Sequence, residues 1–305
     1  MIALFNKQPI NRIMWIVNVA LAPAGIMAVL IFGLHVLGII LVSIASAVVA
    51  EAVIQKTCQR KVTVSDGSVW MTGLLLSYNL PPHAPFWLAA VGSVFAIVVA
   101  KQAFGGFGKN IFNPALAGRA FLMAAWPNHL ASFSRPFVYD AVAQATPLAL
   151  LKEGKAAHLS DLGLNYWDLL IGHRGGSLGE VCIIALLLGG LYLLYKRIIS
   201  WHIPVSFIAA VGIITWIFGA QAQGFFKGDL LFHILSGGLM LGAVYMATDP
   251  VTSPAFGRGQ LIFGAGCGLL TSVIRIWGGY PEGVCYAILL MNAAVPLIDR
   301  FTKKR

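Results

Sequence analysis

The run Asp140-Ala-Val-Ala-Gln-Ala-Thr-Pro-Leu148 puts a secondary hydroxyl, Thr146, directly before Pro147 in a polar loop between two blocks of apolar segments. Two chemistries suit that arrangement. A threonine followed by proline starts a helix, because the side-chain oxygen accepts a first-turn backbone N–H and proline has no N–H to leave unsatisfied. The same geometry suits a phosphate, since free N–H groups and the positive helix end face an anion. Taken alone, Ala145-Thr-Pro-Leu148 is an ordinary helix start, and its surroundings must decide whether it is more.

Those surroundings are a membrane. Hydrophobic residues make up 58% and charged residues 10% of the 305, with a mean hydropathy of +0.82, against roughly a quarter charged in soluble domains. Apolar runs of about 20 residues cross a bilayer as helices, and ten such segments are predicted at 13–33, 34–54, 68–80, 84–104, 110–127, 178–196, 203–222, 232–248, 256–276 and 281–299. The third and eighth are short. No small-residue cleavage signature follows the first, which is read as a retained helix.

The net charge of +10 suggests nucleic acid, but the basic residues sit at alternate membrane loops and no nucleic-acid partner is expected. With a cytoplasmic N-terminus, fourteen cations share that side: Lys7, Arg12, Lys56, Arg60, Lys61, Lys101, Lys109, Lys196, Arg197, Arg258, Arg300, Lys303, Lys304 and Arg305. The turns at 33–35 and 81–85 carry none, and Lys227 and Arg275 stand alone near the other two. This positive-inside pattern places both termini in the cytoplasm and the loop 128–177, with Arg135, Lys152, Lys155, Arg174 and Thr146, outside. Cys58, Cys182, Cys267 and Cys285 have no paired spacing, and the histidines lack ligand spacing, so no disulfide framework or metal site is expected. Redox chemistry here would need an organic cofactor.

The two halves echo each other. The segment Gly67–Pro81 and the segment Gly237–Pro250 are both short, apolar and closed by a polar residue and proline, about 170 residues apart. One long segment, a glycine-rich turn (Gly105-Gly-Phe-Gly108 and Gly278-Gly-Tyr-Pro281) and a last helix, beginning near Asn110 and near Glu282, follow in each half. Five helices per half is an odd number, so two such halves insert in opposite orientations, as in many transporters. The expected fold is an all-α polytopic membrane protein of about ten helices in two inverted five-helix repeats, 1–127 and 178–305, around the extracytoplasmic loop 128–177. Pro81, Pro82 and Pro250 free backbone carbonyls that need protein or a water-filled cavity, making 78–82 and 246–252 a candidate passage. Arg119, mid-segment, must face a partner or cavity. Glu51, at a segment end, is expected in solvent, and Asp249 is placed for ion or backbone contacts.

The stretch Lys101-Gln-Ala-Phe-Gly-Gly-Phe-Gly-Lys-Asn-Ile-Phe-Asn-Pro-Ala-Leu-Ala-Gly-Arg-Ala-Phe-Leu122 resembles the signature of an integral-membrane flavoprotein family. That family holds the D subunit of the Rnf complex and the B subunit of the sodium-translocating NADH:quinone reductase. Ser65-Asp-Gly-Ser68, the Ala-Thr-Pro-Leu loop and Thr248-Asp-Pro250 follow the family's order, and the chain's length is nearer the Rnf type. The resemblance implies FMN joined through its phosphate to Thr146, in a motif near Asp-x-x-Ser/Thr-Gly-Ala-Thr. Asp140 and Ala145 match that motif and Pro147 follows it, while Ala143 and Gln144 depart from it. It also implies a complex passing electrons between reduced ferredoxin and NAD, coupled to sodium or proton movement across the cell membrane. The implied partners are iron–sulfur and flavin subunits, a flavin transferase for maturation and membrane lipid, and the family allows a non-covalent riboflavin between helices. Three other readings stand beside this one: the quinone-reductase subunit, a flavin-free small-solute channel, and a scaffold that has lost its cofactor.

Overall fold

The computed structural model describes residues 9–131, 133–134, 143–144, 146–153, 159–180, 182–219 and 224–303. Each of the ten apolar segments contains helix. The first half holds α1 (Ile10–Phe32), α2 (Leu34–Thr57), α3 (Ser68–Tyr78), α4 (Phe86–Phe95) and α5 (Pro114–Ala125). A short α6 (Pro127–Ala131) and a two-residue antiparallel ribbon, β1 (Phe133–Ser134) with β2 (Ala143–Gln144), lead to α7 (Pro147–Lys152) and α8 (Tyr166–Ile171). The second half holds α9 (Ile183–Tyr195), α10 (His202–Phe218), α11 (Leu230–Leu235), α12 (Leu239–Leu241), α13 (Gly257–Trp277) and α14 (Val284–Thr302). Helices α1, α2, α13 and α14 are each long and apolar enough to cross a membrane, and α4, α5, α9 and α10 are shorter apolar helices. The chain is a multi-pass membrane protein.

Its outward faces are apolar, with Val19, Leu30, Leu41, Val49, Leu191 and Leu297 exposed, as lipid or a neighbouring protein requires. Inward, small residues allow close approach. Gly264 and Gly268 lie one turn apart on α13, where a Cβ would meet the α10 backbone at Ile203 and Phe207, the small-residue contact typical of membrane helices.

Among the described residues, two helices depart from regular α geometry. α4 runs on as a π-helix, Ala96–Gln102, and α12 as another, Gly242–Met246; such turns recur at functional sites. The eighth segment is broken rather than merely short, since Ser236-Gly237-Gly238 separates α11 from α12 and Gly237 has φ +70°. α3 has 11 residues, about 16 Å of helix against a hydrocarbon core of about 30 Å. The carbonyls freed where α3 stops are paired: Tyr78 O accepts from Gly179 N at 2.9 Å and Leu80 O from Leu178 N at 3.0 Å.

The structure corrects the reading of Glu51. It is wholly buried, accepting a hydrogen bond from Lys101 Nζ at 2.7 Å. Lys101, counted with the loop cations, is also buried, because the π-helical end of α4 carries it inward. Arg174 and Arg275, read as loop charges, are buried as well.

Candidate functional site

The Asn-Pro-Ala-Leu block works as a helix start. Asn113 caps α5, its side chain accepting from Ala115 N at 3.1 Å and Leu116 N at 3.3 Å, with Pro114 in the first turn. Asn113 also ties the halves together: its N–H donates to Asn292 Oδ1 at 3.1 Å and its Nδ2 to Met246 O at 3.2 Å. Asn79, at the end of α3, meets Met246 from the other side, Nδ2 to sulfur 3.7 Å. The two predicted break regions therefore touch.

Helix α5 then delivers Arg119 into a buried charge cluster. Arg119 donates to Asn79 Oδ1 at 2.6 Å and pairs with Glu282. Arg275 is held by carbonyls released at the break after α11, donating to His233 O at 2.6 Å and Ser236 O at 3.1 Å, and also to Glu282 O at 3.0 Å. Arg174 donates to Glu180 O at 3.1 Å, and Glu180 Oε1 accepts from Ser177 N at 3.0 Å. Glu180 Oε2, Arg119 Nε and Arg174 Nε are buried without a partner among the described residues. The expectation that Arg119 faces a partner holds, and it faces a cavity too.

That cavity, about 420 Å³, lies under the Thr146 loop. Thr146 caps α7, accepting from Ala149 N at 3.2 Å, with Pro147 at the first helical position as the sequence reading requires. α7 is only six residues long, so its dipole adds little. Thr146 is 5% exposed and lines the cavity. Arg119, Lys152, Tyr280, Glu282 and Tyr286 line the same cavity. The two tyrosine rings lie 5.1 Å apart between centroids, tilted 35°. Lys152 Nζ donates to Tyr280 O at 2.8 Å and Ile274 O at 3.2 Å, and partial burial lowers its pKa. The lining thus brings together a hydroxyl, two aromatic rings, two cations and two carboxylates, Glu153 and Glu282.

Asp140 and Ala145 of the predicted motif lie outside the described residues. Lys152, Tyr280, Tyr286 and Glu282 are site residues that the sequence reading misses, although a buried Arg119 demands an acid and Glu282 opens the last segment. Asp249, weighed for ion or backbone contacts, makes local ones. It accepts from Val251 N at 3.3 Å and Thr252 Oγ1 at 3.2 Å beside a cavity of about 80 Å³. Cys182, Cys267 and Cys285 are buried free thiols, and Cys58 is exposed.

Fold and site together define a multi-pass membrane protein with a ligand-sized, mainly apolar chamber that carries a few charged groups among its helices. Residues 4–305 match the family described as NQR2, RnfD, RnfE, and the chain belongs to it. It is 50% identical over 302 residues, 97% of its length and 91% of the relative, to the D subunit of the proton-translocating ferredoxin:NAD(+) oxidoreductase complex of Clostridium ljungdahlii. It is 49% identical over 301 residues, 98% and 91% of the two chains, to the D subunit of the Na(+)-translocating ferredoxin:NAD(+) oxidoreductase complex of Acetobacterium woodii. The D subunit of the ion-translocating oxidoreductase complex of Stutzerimonas stutzeri is 39% identical over 327 residues, covering 98% and 92%.

Proposed function

We propose that this chain is the D subunit of an ion-translocating ferredoxin:NAD oxidoreductase complex and carries FMN on Thr146. The observation that carries the first part is half identity, over nearly the full length of both chains, to two relatives so named. The second part rests on the family resemblance and on Thr146 opening into a cavity that fits the group. Its volume lies within the range of small-molecule sites, roughly 300–1,000 Å³. Arg119, which lines it, brings a guanidinium to its wall.

FMN when bound exchanges electrons singly or in pairs, joining one-electron iron–sulfur carriers to two-electron carriers. The chain's own residues do the rest. Thr146 tethers the phosphate through its oxygen, Lys152 and Arg119 supply cationic donors, Tyr280 and Tyr286 offer ring faces, and Met123, Leu130 and Phe133 line the chamber with apolar surface. The remaining parts of the proposal are two inverted five-helix repeats, 1–127 and 178–305, both termini cytoplasmic, and the loop 128–177 outside the cell membrane. The meeting of Asn79 and Met246 supports the repeat and makes 78–82 and 246–252 the candidate ion passage. The relatives from C. ljungdahlii and A. woodii bear different ions in their names at nearly equal identity, so the cargo is proposed as a monovalent cation, Na+ or H+. Iron–sulfur and flavin subunits and a flavin transferase are the proposed partners, and a non-covalent riboflavin is a second proposed cofactor.

The test is peptide mass and in-gel flavin fluorescence of the membrane-purified chain, co-expressed with a flavin transferase, beside Thr146→Ala. The expected result is FMN minus one water on the Thr146 peptide, abolished by the substitution. An unmodified peptide under those conditions favours a scaffold or channel.

A further inference from the structure

The side chain proposed to accept FMN is buried. Thr146 is 5% exposed, and its Oγ accepts the Ala149 N–H at 3.2 Å. The helix that follows it is fastened at both ends. Pro147 and Leu148 are buried, and Leu148 packs with Leu159, Leu169 and Phe232. Leu148 Cδ1 also lies against the bare backbone of Gly237, where a Cβ would come within 2.8 Å of it. At the far end, Lys152 Nζ donates to Ile274 O at 3.2 Å and Tyr280 O at 2.8 Å. A helix of six residues has little stability of its own, so α7 owes its place to these contacts. It is also a wall of the chamber, since Thr146, Ala149, Lys152 and Glu153 all line the cavity.

Joining FMN to a threonine is a group transfer, and it needs access. The threonine oxygen attacks phosphorus in a phosphoanhydride of FMN, a flavin dinucleotide. The O–P bond forms as the anhydride P–O bond breaks, the nucleoside monophosphate leaves, and the hydroxyl proton passes to water. No electrons change hands. The attack brings the oxygen within about 3–3.5 Å of phosphorus inside the transferase, so the enzyme must close around the acceptor residue. With α7 docked, the neighbouring Pro147 and Leu148 are seated in the protein and leave no such approach. We propose that α7 is a strap that lifts away for flavinylation and docks afterwards, so that modification precedes closure of this chamber wall. This rests on the reading that Thr146 carries FMN. Redocking then carries the tethered group to the cavity on the same element that forms its wall.

The experiment uses the full chain, made without a transferase, purified in detergent and then given transferase and flavin dinucleotide. Flavin per chain is followed over time by in-gel fluorescence and peptide mass, for wild type and Leu148→Ala. Leu148→Ala removes a fastening and keeps the hydroxyl. It is expected to be modified at least tenfold faster, because a segment that opens rarely reacts in proportion to its open population. A second measurement needs no transferase: maleimide labelling of Thr146→Cys in a Cys58→Ser background, Cys58 being the exposed native thiol. Labelling is expected to be slow and to accelerate at least tenfold when Leu148→Ala is added. If Leu148→Ala does not fold, Leu151→Ala, at the edge of the same apolar cluster, replaces it. Equal rates of flavin transfer overturn the proposal, whatever the labelling shows, and leave the flavin reading standing. Flavin on neither chain, even after co-expression with the transferase, overturns the flavin reading. The labelling rates then decide the strap alone: acceleration keeps it and equal rates remove it.

Discussion

The two ends of α3 carry buried charge in opposite ways. At Ser68 the charges are closed: Lys101 Nζ donates to Glu51 Oε2 at 2.7 Å and Ser68 Oγ at 2.8 Å, and Ser68 Oγ donates to Asp66 at 2.6 Å. Glu51 Oε1 takes a further bond from Gln55 at 3.1 Å. At Asn79 the charges outnumber their partners among the described residues, two arginine Nε atoms and one carboxylate oxygen stay open, and a cavity of about 420 Å³ adjoins them. Both clusters join segments distant in sequence. One cluster adjoins a cavity and the other is closed on itself, so that the satisfied pair acts as a structural anchor.

The largest effect should come from breaking the anchor. Lys101→Met leaves Glu51 buried and unpaired, and removing one partner of a buried pair costs about 3–5 kcal/mol. Unfolding of the purified chain in detergent should show a loss of that order, with most of it restored in Lys101→Met/Glu51→Gln. A loss well under 1 kcal/mol would mean that water reaches Glu51 and that the two clusters do not differ as described.

Asn79 should rank next. Its side chain spans the divide, accepting from Arg119 at 2.6 Å and donating to Leu75 O at 2.6 Å. Asn79→Leu strands one guanidinium donor, at about 1–3 kcal/mol. Glu180→Gln should cost less, because Oε2 has no partner to lose among the described residues and the amide oxygen can still accept from Ser177 N. In the same unfolding assay it should stay within about 1 kcal/mol of wild type or be more stable, as relief of an open buried acid allows. A penalty as large as that of Lys101→Met would show that Glu180 is as fully paired as Glu51.

What is legible in the sequence divides along a similar line. Local signals carry through: ten apolar runs contain helix, Thr146-Pro147 caps α7, Asn113-Pro114 caps α5, and the prolines mark the break at Asn79. Caps and breaks are decided within a few residues, so their chemistry is written in the chain order. Pairings across the fold are not. Glu51 and Lys101 are 50 residues apart and Arg119 and Glu282 are 163 apart, and a charge at a segment end looks the same whether it meets water or a distant partner. Arg119 is the exception because it lies mid-segment, where water is excluded by position alone. The aromatic and cationic wall of the chamber, from Lys152, Tyr280 and Tyr286, sits at or beside turns whose composition is ordinary for loops.

The smallest expected effect reads the chamber wall through pH. Lys152 is partly buried and its ammonium is held by two carbonyls, yet desolvation wins and its pKa falls below the ordinary lysine value of 10.5. Between the lowered value and 10.5 the unfolded chain binds a proton that the folded chain has shed. Stability therefore rises with pH across that window, and the disadvantage of holding Lys152 charged applies below it. Lys152→Met should flatten this alkaline rise in detergent unfolding while leaving the neutral-pH spectrum of the fold unchanged. The anchor pair supplies the control, since the slope should survive in Lys101→Met/Glu51→Gln. Should the rise persist in Lys152→Met, another wall group titrates there, and the contrast between an open chamber and a closed anchor must be redrawn around it.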